Sequence, residues 1–394
     1  MPSGSSLITP HSPLQFSVLP PLSLYIHVPW CVRKCPYCDF NSHEARGTLP
    51  EDEYVAALLS DLEFTLPQVW GRPVLTVFIG GGTPSLLSVS ALDALLSGVR
   101  ARLPLAADAE ITLEANPGTV EAEKFRGFRA AGVNRLSLGI QSLNDRHLHA
   151  LGRIHDAGEA RRAAELALAT FDNVNLDLMY GLPGQTQEEA EADIAAVIAL
   201  APQHVSAYHL TIEPNTYFHR YPPAVPDDDA AAAMQAAVET RLADAGYGHY
   251  EISAFARPGL PARHNLNYWT FGDYLGIGAG AHGKISFKNN ILRYSCARQP
   301  KAYLTQVAAG SALSEQRELS AVELPGEFMM NALRLNDGFE LSLFADRTGL
   351  DLTPVLPVLD QAEARGLLMR DHLSVRPTPL GRRFLNDLLA MFLP

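Results

Sequence analysis

The stretch YIHVPWCVRKCPYCDF, residues 25–40, decides the fold expected for this 394-residue chain. It continues an alternation of apolar and polar residues that begins at Leu24, and a period of two is typical of a β-strand. Cys31, Cys35 and Cys38 follow in the next turn of the chain, although the whole sequence has only four cysteines. The stretch therefore predicts a strand whose carboxyl end carries three neighbouring thiols.

The composition limits the cellular setting and the partners. Four cysteines in so long a chain do not make a disulfide framework, which indicates a reducing, cytoplasmic compartment. The net charge of −12 gives no support for a nucleic-acid partner. No apolar run reaches the roughly 18 residues of a membrane span, so we expect no integral membrane segment. Residues 1–21 are rich in proline and serine and are expected to form a flexible tail.

Three close thiols suit two kinds of metal site. A structural zinc ion needs four nitrogen or sulfur ligands and usually takes them from two short pairs. This chain has no second pair, although His27 and His43 are near enough in the sequence to complete the set. A [4Fe–4S] cluster prefers thiolates, and three of them leave one iron open to another ligand. The residues alone leave both sites open.

The cysteine spacing, three residues and then two, resembles the signature of the radical S-adenosylmethionine (SAM) superfamily, and Tyr37 stands where that signature has an aromatic residue. The resemblance implies that Cys31, Cys35 and Cys38 hold a [4Fe–4S] cluster whose open iron binds SAM, with Tyr37 among the residues at the SAM site. It also implies an electron donor, because one electron from the cluster cleaves SAM to a 5′-deoxyadenosyl radical.

The alternation that opens the chain recurs, and helical segments separate its repeats. Further strands are predicted at 74–80, 109–115, 135–141, 173–181 and 204–210. Helices are predicted at 88–102, 119–131, 157–170 and 186–200, and Thr48 with Glu51 suggests a capping box that opens another. Six such repeats indicate a parallel sheet with right-handed crossovers. One polar face on most strands favours a wet lumen, so we expect an α/β fold, a partial (β/α)6 TIM-type barrel.

The rest of the chain divides into two parts. We expect the barrel over 22–215 and an extension over 216–320, in which the glycine-rich FGDYLGIGAGAHG (271–283) lies against a ligand or packs tightly. Residues 321–394 show helix, turn, helix, a short hairpin and a last helix, which indicates a winged-helix-like α+β domain. Winged helices often bind DNA. No stripe of Lys and Arg appears here, so a docking surface for proteins or a cap over the barrel is favoured.

Several motifs narrow the resemblance. FIGGGTPSLL, LEANPGT, RLSLGIQSL, LGRIH and NLDLMYGLPGQT resemble the oxygen-independent coproporphyrinogen III dehydrogenase family and its relatives, the HemW-type haem chaperones, over most of the chain from residue 22. That resemblance implies one or two bound SAM molecules. The residues it assigns to SAM at the cluster are Tyr25, Gly81 and Glu114. Those it assigns to a second SAM are Gly82, Thr83, Gln141, Arg153 and Asp177.

Three features distinguish the decarboxylating enzymes from the haem chaperones. The decarboxylating enzymes have a fourth cysteine two residues after the third, where this chain has Phe40, and a longer N-terminal segment. RHNLNYW (263–269) matches the H-N-x-x-Y-W motif of the chaperones. The resemblance therefore implies haem contact by His264, Asn265, Tyr268 and Trp269, with His264 as an axial iron ligand.

The leading hypothesis is a haem chaperone that delivers haem to recipient proteins such as respiratory enzymes. Whether it also cleaves SAM as an enzyme is left open. The alternative is an oxygen-independent coproporphyrinogen III dehydrogenase, which uses the radical for oxidative decarboxylation to protoporphyrinogen IX. A third hypothesis, a zinc-stabilised DNA-binding regulator, rests on the cysteine loop and the winged helix alone.

Overall fold

A computed structural model gives the structure of the protein for residues 14–119 and 121–393, and a twelve-stranded sheet forms its centre. The first elements are β1 (Leu22–Val28), β2 (Trp30–Cys31), β3 (His43–Glu44), α1 (Glu51–Thr65), β4 (Val74–Gly81), α2 (Val89–Arg102), β5 (Leu105–Ala115), α3 (Ala122–Ala131), β6 (Arg135–Gln141), α4 (Asp145–Ala150), α5 (Ala157–Thr170), β7 (Val174–Tyr180), α6 (Gln187–Leu200) and β8 (His204–His209). Strands β1 and β4 to β8 lie side by side and all run parallel. The predicted α/β barrel fold is thereby confirmed.

The following segment extends this sheet at both edges. Its elements are α7 (Tyr217–Arg220), α8 (Asp228–Asp244), β9 (Gly248–Glu251), β10 (Ala254–Ala256), α9 (Arg263–Trp269), β11 (Asp273–Ile277), β12 (His282–Ser286), β13 (Ile291–Cys296), α10 (Pro300–Ala308) and β14 (Leu313–Glu318). Strand β10 pairs with β8, whereas β11 pairs parallel with β1 and continues into antiparallel β12, β13 and β14. The barrel therefore stays open, because β8 and β1 each have another neighbour.

The C-terminal part has the predicted winged-helix-like arrangement. Its elements are α11 (Leu324–Ala332), β15 (Phe339–Glu340), α12 (Leu341–Thr348), α13 (Leu356–Ala364), β16 (Leu368–Arg370), β17 (Ser374–Pro377), α14 (Pro379–Arg383) and α15 (Leu385–Ala390). Strands β16 and β17 form the expected hairpin, and β15 joins them as a third strand. The domain has its own apolar core, in which Phe328 meets Phe339 and Phe344 edge to face.

The flexible tail predicted for residues 1–21 is wrong in its described part. Leu14 and Phe16 are buried in the core of the winged-helix-like domain. The main-chain N–H of Phe16 also donates to the carbonyl of Lys288 at 3.1 Å. Burial of two large apolar side chains outweighs the proline- and serine-rich composition of this segment. Residues 1–13 lie outside the described residues.

The start of α1 also differs from the prediction. Pro50 is the N-cap residue and no side chain caps the helix, so the capping box of Thr48 and Glu51 is absent. The Glu51 carboxylate instead accepts a hydrogen bond from the main-chain N–H of Ser88 at 3.0 Å. Because Ser88 is the N-cap of α2, this contact ties the beginnings of two neighbouring helices together.

The main core lies between the barrel strands and the helices around them. Leu24 and Ile26 of β1, Leu58 of α1, Leu92 of α2 and Leu138 of β6 are fully buried there. Each such side chain contributes about 1.5–3 kcal/mol on burial, so this layer holds the helices against the sheet. Among the described residues, no helix has both the length and the apolar character that crossing a membrane requires.

Candidate functional site

A cavity of about 440 Å³ occupies the lumen and opens at the carboxyl ends of the barrel strands. The predicted site residues that line it are Cys31, Cys35, Tyr37, Cys38, Gly81, Gly82, Thr83, Glu114, Gln141, Arg153, Asp177 and Asn265. The structure thus brings the cysteine loop together with every predicted SAM residue except Tyr25. Carboxyl ends of barrel strands are the usual place for active sites, which agrees with this gathering.

The three cysteines of the loop are free, half-buried thiols on one side of this cavity. The Arg153 guanidinium donates to Cys35 Sγ at 3.5 Å, and Cys38 Sγ lies 3.7 Å from Ser42 Oγ. Burial raises the pKa of the Cys31 and Cys38 thiols. Three unpaired soft donors that converge on one cavity, with hydrogen-bond donors beside their sulfurs, fit a [4Fe–4S] cluster.

His27, one of the two histidines that could complete a zinc site, is not free to do so. His27 uses both ring nitrogens, because Nδ1 accepts from the Tyr25 hydroxyl at 2.9 Å and Nε2–H donates to the Asn41 carbonyl at 2.8 Å. His43 lies on the short strand β3, and its Nε2 is enclosed without a hydrogen-bond partner among the described residues. Within residues 14–119 and 121–393, no three His, Cys, Asp or Glu side chains are already close enough to hold a metal ion, and this applies to the three loop cysteines as well as to a set completed by a histidine.

Two carboxyl groups face the lumen from β5 and β7, which lie on either side of β6. Glu114 accepts a hydrogen bond from the main-chain N–H of Gly81 at 3.0 Å, and burial, with the nearby charge of Asp177, raises its pKa to about 8. Burial also raises the pKa of Asp177, which accepts from Asn175 at 2.7 Å and from Ser137 at 3.3 Å. A carboxyl group in such a place ionises readily when a cation binds beside it.

Arg153 and Gln141 complete the polar wall. Arg153 is half-buried, and its Nη2 donates to Asn116 Oδ1 at 2.5 Å and to the Gly139 carbonyl at 2.9 Å. Gln141 ends β6 with φ at 64°, in the left-handed region that side chains rarely adopt. Backbone strain of this kind costs of order 1–3 kcal/mol and clusters at functional sites.

The glycine run after β4 lies directly against the cysteine loop. A Cβ on Gly81, whose φ is +119°, would lie 2.6 Å from the His27 ring. A Cβ on Gly82 would lie 2.5 Å from the Trp30 carbonyl oxygen. Neither position accepts a side chain without a shift of its neighbours. Thr83 follows, and its hydroxyl bonds to Cys31, which opposes the rise in that thiol's pKa.

The H-N-x-x-Y-W motif lies on α9, at the opposite, amino end of the barrel. The main-chain N–H of His264 donates to the Glu110 carboxylate at 3.0 Å, and its Nδ1 is 2.7 Å from Thr76 Oγ1. Its ring stacks on Phe78 with 5.0 Å between centroids and meets Tyr268 edge-on at 5.1 Å. Only 2% of the residue is exposed, and burial lowers its pKa to about 3.

The four motif residues do not converge on a single site. Asn265 lines the lumen cavity, whereas Tyr268 lines a second cavity. Trp269 lies under the Arg334 guanidinium, 4.4 Å from it. His264 Nε2 is enclosed and has no hydrogen-bond partner in the described part of the chain. Haem contact by these residues stays a prediction, and the enclosed ring of His264 is not accessible to a large planar ligand.

The second cavity, of about 320 Å³, adjoins the first. Its lining residues are Tyr25, His27, Phe40, Asn41, Gly81, Glu114, Tyr268, Tyr274, Gly280, His282 and Arg298. Phe40, Gly81 and Glu114 line both cavities, and Tyr25 belongs only to the second. The sequence analysis expected the glycine-rich stretch 271–283 to lie against a ligand or to pack tightly, but it did not single out this cavity or His282 in it. The signal available there was a histidine that follows a glycine-rich strand.

Comparisons with known proteins agree with this architecture. Residues 25–197 match the Radical SAM superfamily and residues 319–384 match the HemN C-terminal domain. The chain is 52% identical over 377 residues to the heme chaperone HemW of Escherichia coli, with 95% of this chain and 99% of that protein covered. It is 48% identical over 381 residues to the heme chaperone HemW of Haemophilus influenzae, with 95% and 98% covered.

A solved structure has a similar fold over nearly the same length. It is the coproporphyrinogen III oxidase HemN from Escherichia coli, described as a radical SAM enzyme. The two structures superpose with a TM-score of 0.81 at 25% sequence identity, and the match covers 95% of this chain and 90% of that one. The likeness therefore includes the barrel, its extension and the C-terminal domain.

Proposed function

The chain belongs to the HemW family within the radical SAM superfamily, and we propose that it is a haem chaperone, which binds haem and transfers it to haem-requiring proteins. The observation that carries the proposal is the match at 52% identity over 95% of the chain to a protein of that name. We further propose that the recipients include respiratory enzymes and that the protein works in the cytoplasm.

The proposal includes a [4Fe–4S] cluster on Cys31, Cys35 and Cys38. When bound, the cluster supplies an open iron for SAM and one electron, which a partner protein must provide. The chain's own residues would orient the cluster and shield it from solvent. Arg153 donates to the Cys35 sulfur, and hydrogen bonds to cluster sulfurs are one means by which proteins tune such clusters. Tyr37 lies in the same loop, between two of the thiols.

One or two SAM molecules complete the proposed site. Beside the cluster, the Glu114 carboxylate would accept a hydrogen bond from the ammonium group of SAM. Tyr25, Tyr37 and Gly81 would lie around that SAM molecule. The hydrogen bond from Gly81 to Glu114 holds the carboxyl in place, and an arriving cation favours the ionised form. The residues proposed for a second SAM are Gly82, Thr83, Gln141, Arg153 and Asp177. Their support is the lumen cavity that all of them line.

Coproporphyrinogen III dehydrogenase is the second candidate, since the fold is similar to that of HemN along nearly the whole chain. Phe40 counts against it. It occupies the place of the fourth cysteine of those enzymes, and its ring is 64% exposed on the edge of both cavities. A phenyl ring offers neither a thiol nor a proton at that place.

The test is anaerobic reconstitution of iron and sulfide, followed by haem titration and transfer. We expect one haem to bind per chain and to move to an apo-haemoprotein, with the Soret band followed in both steps. Free haem at the same concentration is the control for passive transfer. Turnover of coproporphyrinogen by the reduced protein with SAM, without stoichiometric haem binding, would overturn the proposal in favour of the enzyme.

A further inference from the structure

We propose that Asn116 is a positioning residue, which aims two hydrogen bonds at the sulfurs of the cysteine loop and thereby raises the reduction potential of the [4Fe–4S] cluster. The inference rests on the cluster proposed above, and it gives a role to a residue of LEANPGT that the sequence analysis left unassigned. Asn116 follows β5 at the carboxyl end of the barrel and lines the lumen cavity. Its side chain lies between Thr83 and Arg153, each of which contacts one of the loop thiols.

The partners of the Asn116 side chain fix the orientation of its amide group. A guanidinium only donates hydrogen bonds, so Arg153 Nη2 must face the amide oxygen, and the two atoms are 2.5 Å apart. The amide nitrogen therefore points the other way and donates to Thr83 Oγ1 at 2.8 Å. Asn116 thus accepts from one neighbour and donates to the other, whereas a carboxylate at this place can only accept.

This orientation decides where the Thr83 hydroxyl sends its single proton. The hydroxyl oxygen accepts from Asn116, so its proton is left for another acceptor. The hydrogen bond between Thr83 and Cys31 opposes the rise in the pKa of that thiol, which is the effect of a donor beside the sulfur. Thr83 is buried, so water competes little for the same proton.

Arg153 is held on the other side of Asn116. Its Nη2 donates to Asn116 and to the Gly139 carbonyl, and its Nε is enclosed without a partner among residues 14–119 and 121–393. Because the guanidinium is planar and rigid, these two acceptors fix the direction of Nη1, which donates to Cys35 Sγ at 3.5 Å. Without the oxygen of Asn116, a single acceptor remains to hold Nη2 in place.

The backbone of Asn116 is held independently of its side chain. Its carbonyl accepts from the main-chain N–H of Thr119 at 3.1 Å and from the Thr119 hydroxyl at 2.8 Å. Its N–H donates to Ser85 Oγ at 3.4 Å. These contacts close a turn after β5 and remain when only the side chain is changed. A substitution of Asn116 is therefore expected to alter the two thiol contacts and to leave the strand end folded.

The expected consequence is a change in reduction potential. Hydrogen bonds to the sulfurs and nearby charges are two means by which a protein sets the potential of an iron–sulfur cluster. Reduction adds negative charge, so donors beside the sulfurs favour the reduced form. Thr83 and Arg153 are also two of the residues proposed for a second SAM, and Asn116 therefore joins that ligand site to the thiols.

The test is a redox titration of the reconstituted full chain, with the reduced cluster followed by electron paramagnetic resonance. Asn116→Asp keeps the shape of the side chain and the contact with Arg153, but its carboxylate accepts from Thr83 and draws the hydroxyl proton away from Cys31. The ratio of reduced to oxidised cluster at a fixed potential should fall about tenfold, which is about 59 mV for one electron. Asn289→Asp, the same charge change in an exposed loop between β12 and β13, should match wild type.

A double-mutant cycle separates the direction of the Thr83 hydroxyl from the added charge. Thr83→Val removes the donor at Cys31, so it should lower the same ratio roughly threefold, whereas Thr83→Ser keeps a hydroxyl and should stay close to wild type. In the Thr83→Val background, Asn116→Asp should lower the ratio only about threefold instead of tenfold, because only the effect of the charge is left.

Asn116→Ala is the second variant, in case the acid does not fold, and it should lower the ratio roughly threefold because both donors lose their support. A wild-type potential in either Asn116 variant, at full iron and sulfide content, would overturn the inference. A tenfold effect of Asn116→Asp in the Thr83→Val background would also overturn it, since the charge alone would then explain the shift. Wild type that takes up no iron and sulfide would instead contradict the proposed cluster, so the two failures can be told apart.

Discussion

The two ends of the barrel use polar side chains in opposite ways. At the carboxyl end, Glu114, Asp177 and Arg153 surround an open cavity, where their polar groups face a space of about 440 Å³. At the amino end, helix α9 closes the lumen, and the polar groups there bond to one another. The main-chain N–H groups of Arg263 and His264 donate to Glu110 at 3.1 and 3.0 Å, so a carboxylate neutralises the start of that helix.

The closed end is a continuous network. Thr76 bonds to both His264 and Ser23 at 2.7 Å, and Asn267 donates to Ser23 at 2.8 Å. Asp273 lies beside this network as a buried carboxylate, with Lys284 at 2.9 Å. Such networks hold strands in register, because each member is costly to leave unpaired. The open end is therefore suited to bind ligands, whereas the H-N-x-x-Y-W helix mainly closes the barrel.

The largest expected effect is a loss of bound iron when a thiol of the cysteine loop at the open end is removed, compared with removal of the buried Cys296 thiol. Cys38→Ala should lose nearly all of the reconstituted iron and sulfide, because two thiolates do not hold a [4Fe–4S] cluster at this loop. Cys296→Ala is the matched control, since that thiol is buried beside Asp61 and does not line the lumen cavity. The iron and sulfide content of each reconstituted variant, together with the visible absorbance of the iron–sulfur cluster, measures how much cluster it holds. Equal iron in Cys38→Ala and wild type would contradict the assignment.

The next effect tests the closed end. His264→Ala removes a ring packed between Phe78 and Tyr268 and leaves Thr76 without one hydrogen bond, so the free energy of unfolding should fall by about 2–4 kcal/mol. Asn265→Ala, on the same helix but facing the lumen cavity, should cost less than about 1 kcal/mol. Denaturant unfolding of both variants measures the costs. Equal stabilities would show that His264 does not hold the closed end together.

Much of the open end could be predicted from the sequence, and little of the closed end. Residues 135–141 alternate locally, so β6 is visible without any partner, and the cysteine loop lies within eight residues. The pairing of β1 with β11 joins Leu24 to Leu275, and no local pattern encodes such a distant contact. The burial of Phe16 is missed for the same reason, because its partners lie in the C-terminal domain.

The smallest effect concerns protons at the open end. The pKa of Glu114 is about 8 in the folded protein, whereas an ordinary glutamate has a pKa of 4.5. Between pH 4.5 and pH 8 the folded state therefore keeps a proton that the unfolded state has lost. Stability contributed by this group is therefore present at low pH and declines as the pH rises through 8. Between pH 6 and 8 we expect wild type to lose about 2 kcal/mol from this source, slightly less than the roughly 2.7 kcal/mol that a full proton would give over two pH units.

Glu114→Gln should remove that decline, because an amide does not titrate, and Glu53→Gln, at an exposed position of α1, should keep it. Unfolding free energies of the three proteins at pH 6, 7 and 8 measure the slopes. The same proton links stability to binding: a ligand that presents a cation to Glu114 should release close to one proton at pH 7 from wild type and none from Glu114→Gln. Calorimetry of SAM binding in buffers of different ionisation enthalpy counts that proton, and an equal release from both proteins would place the cation elsewhere in the lumen.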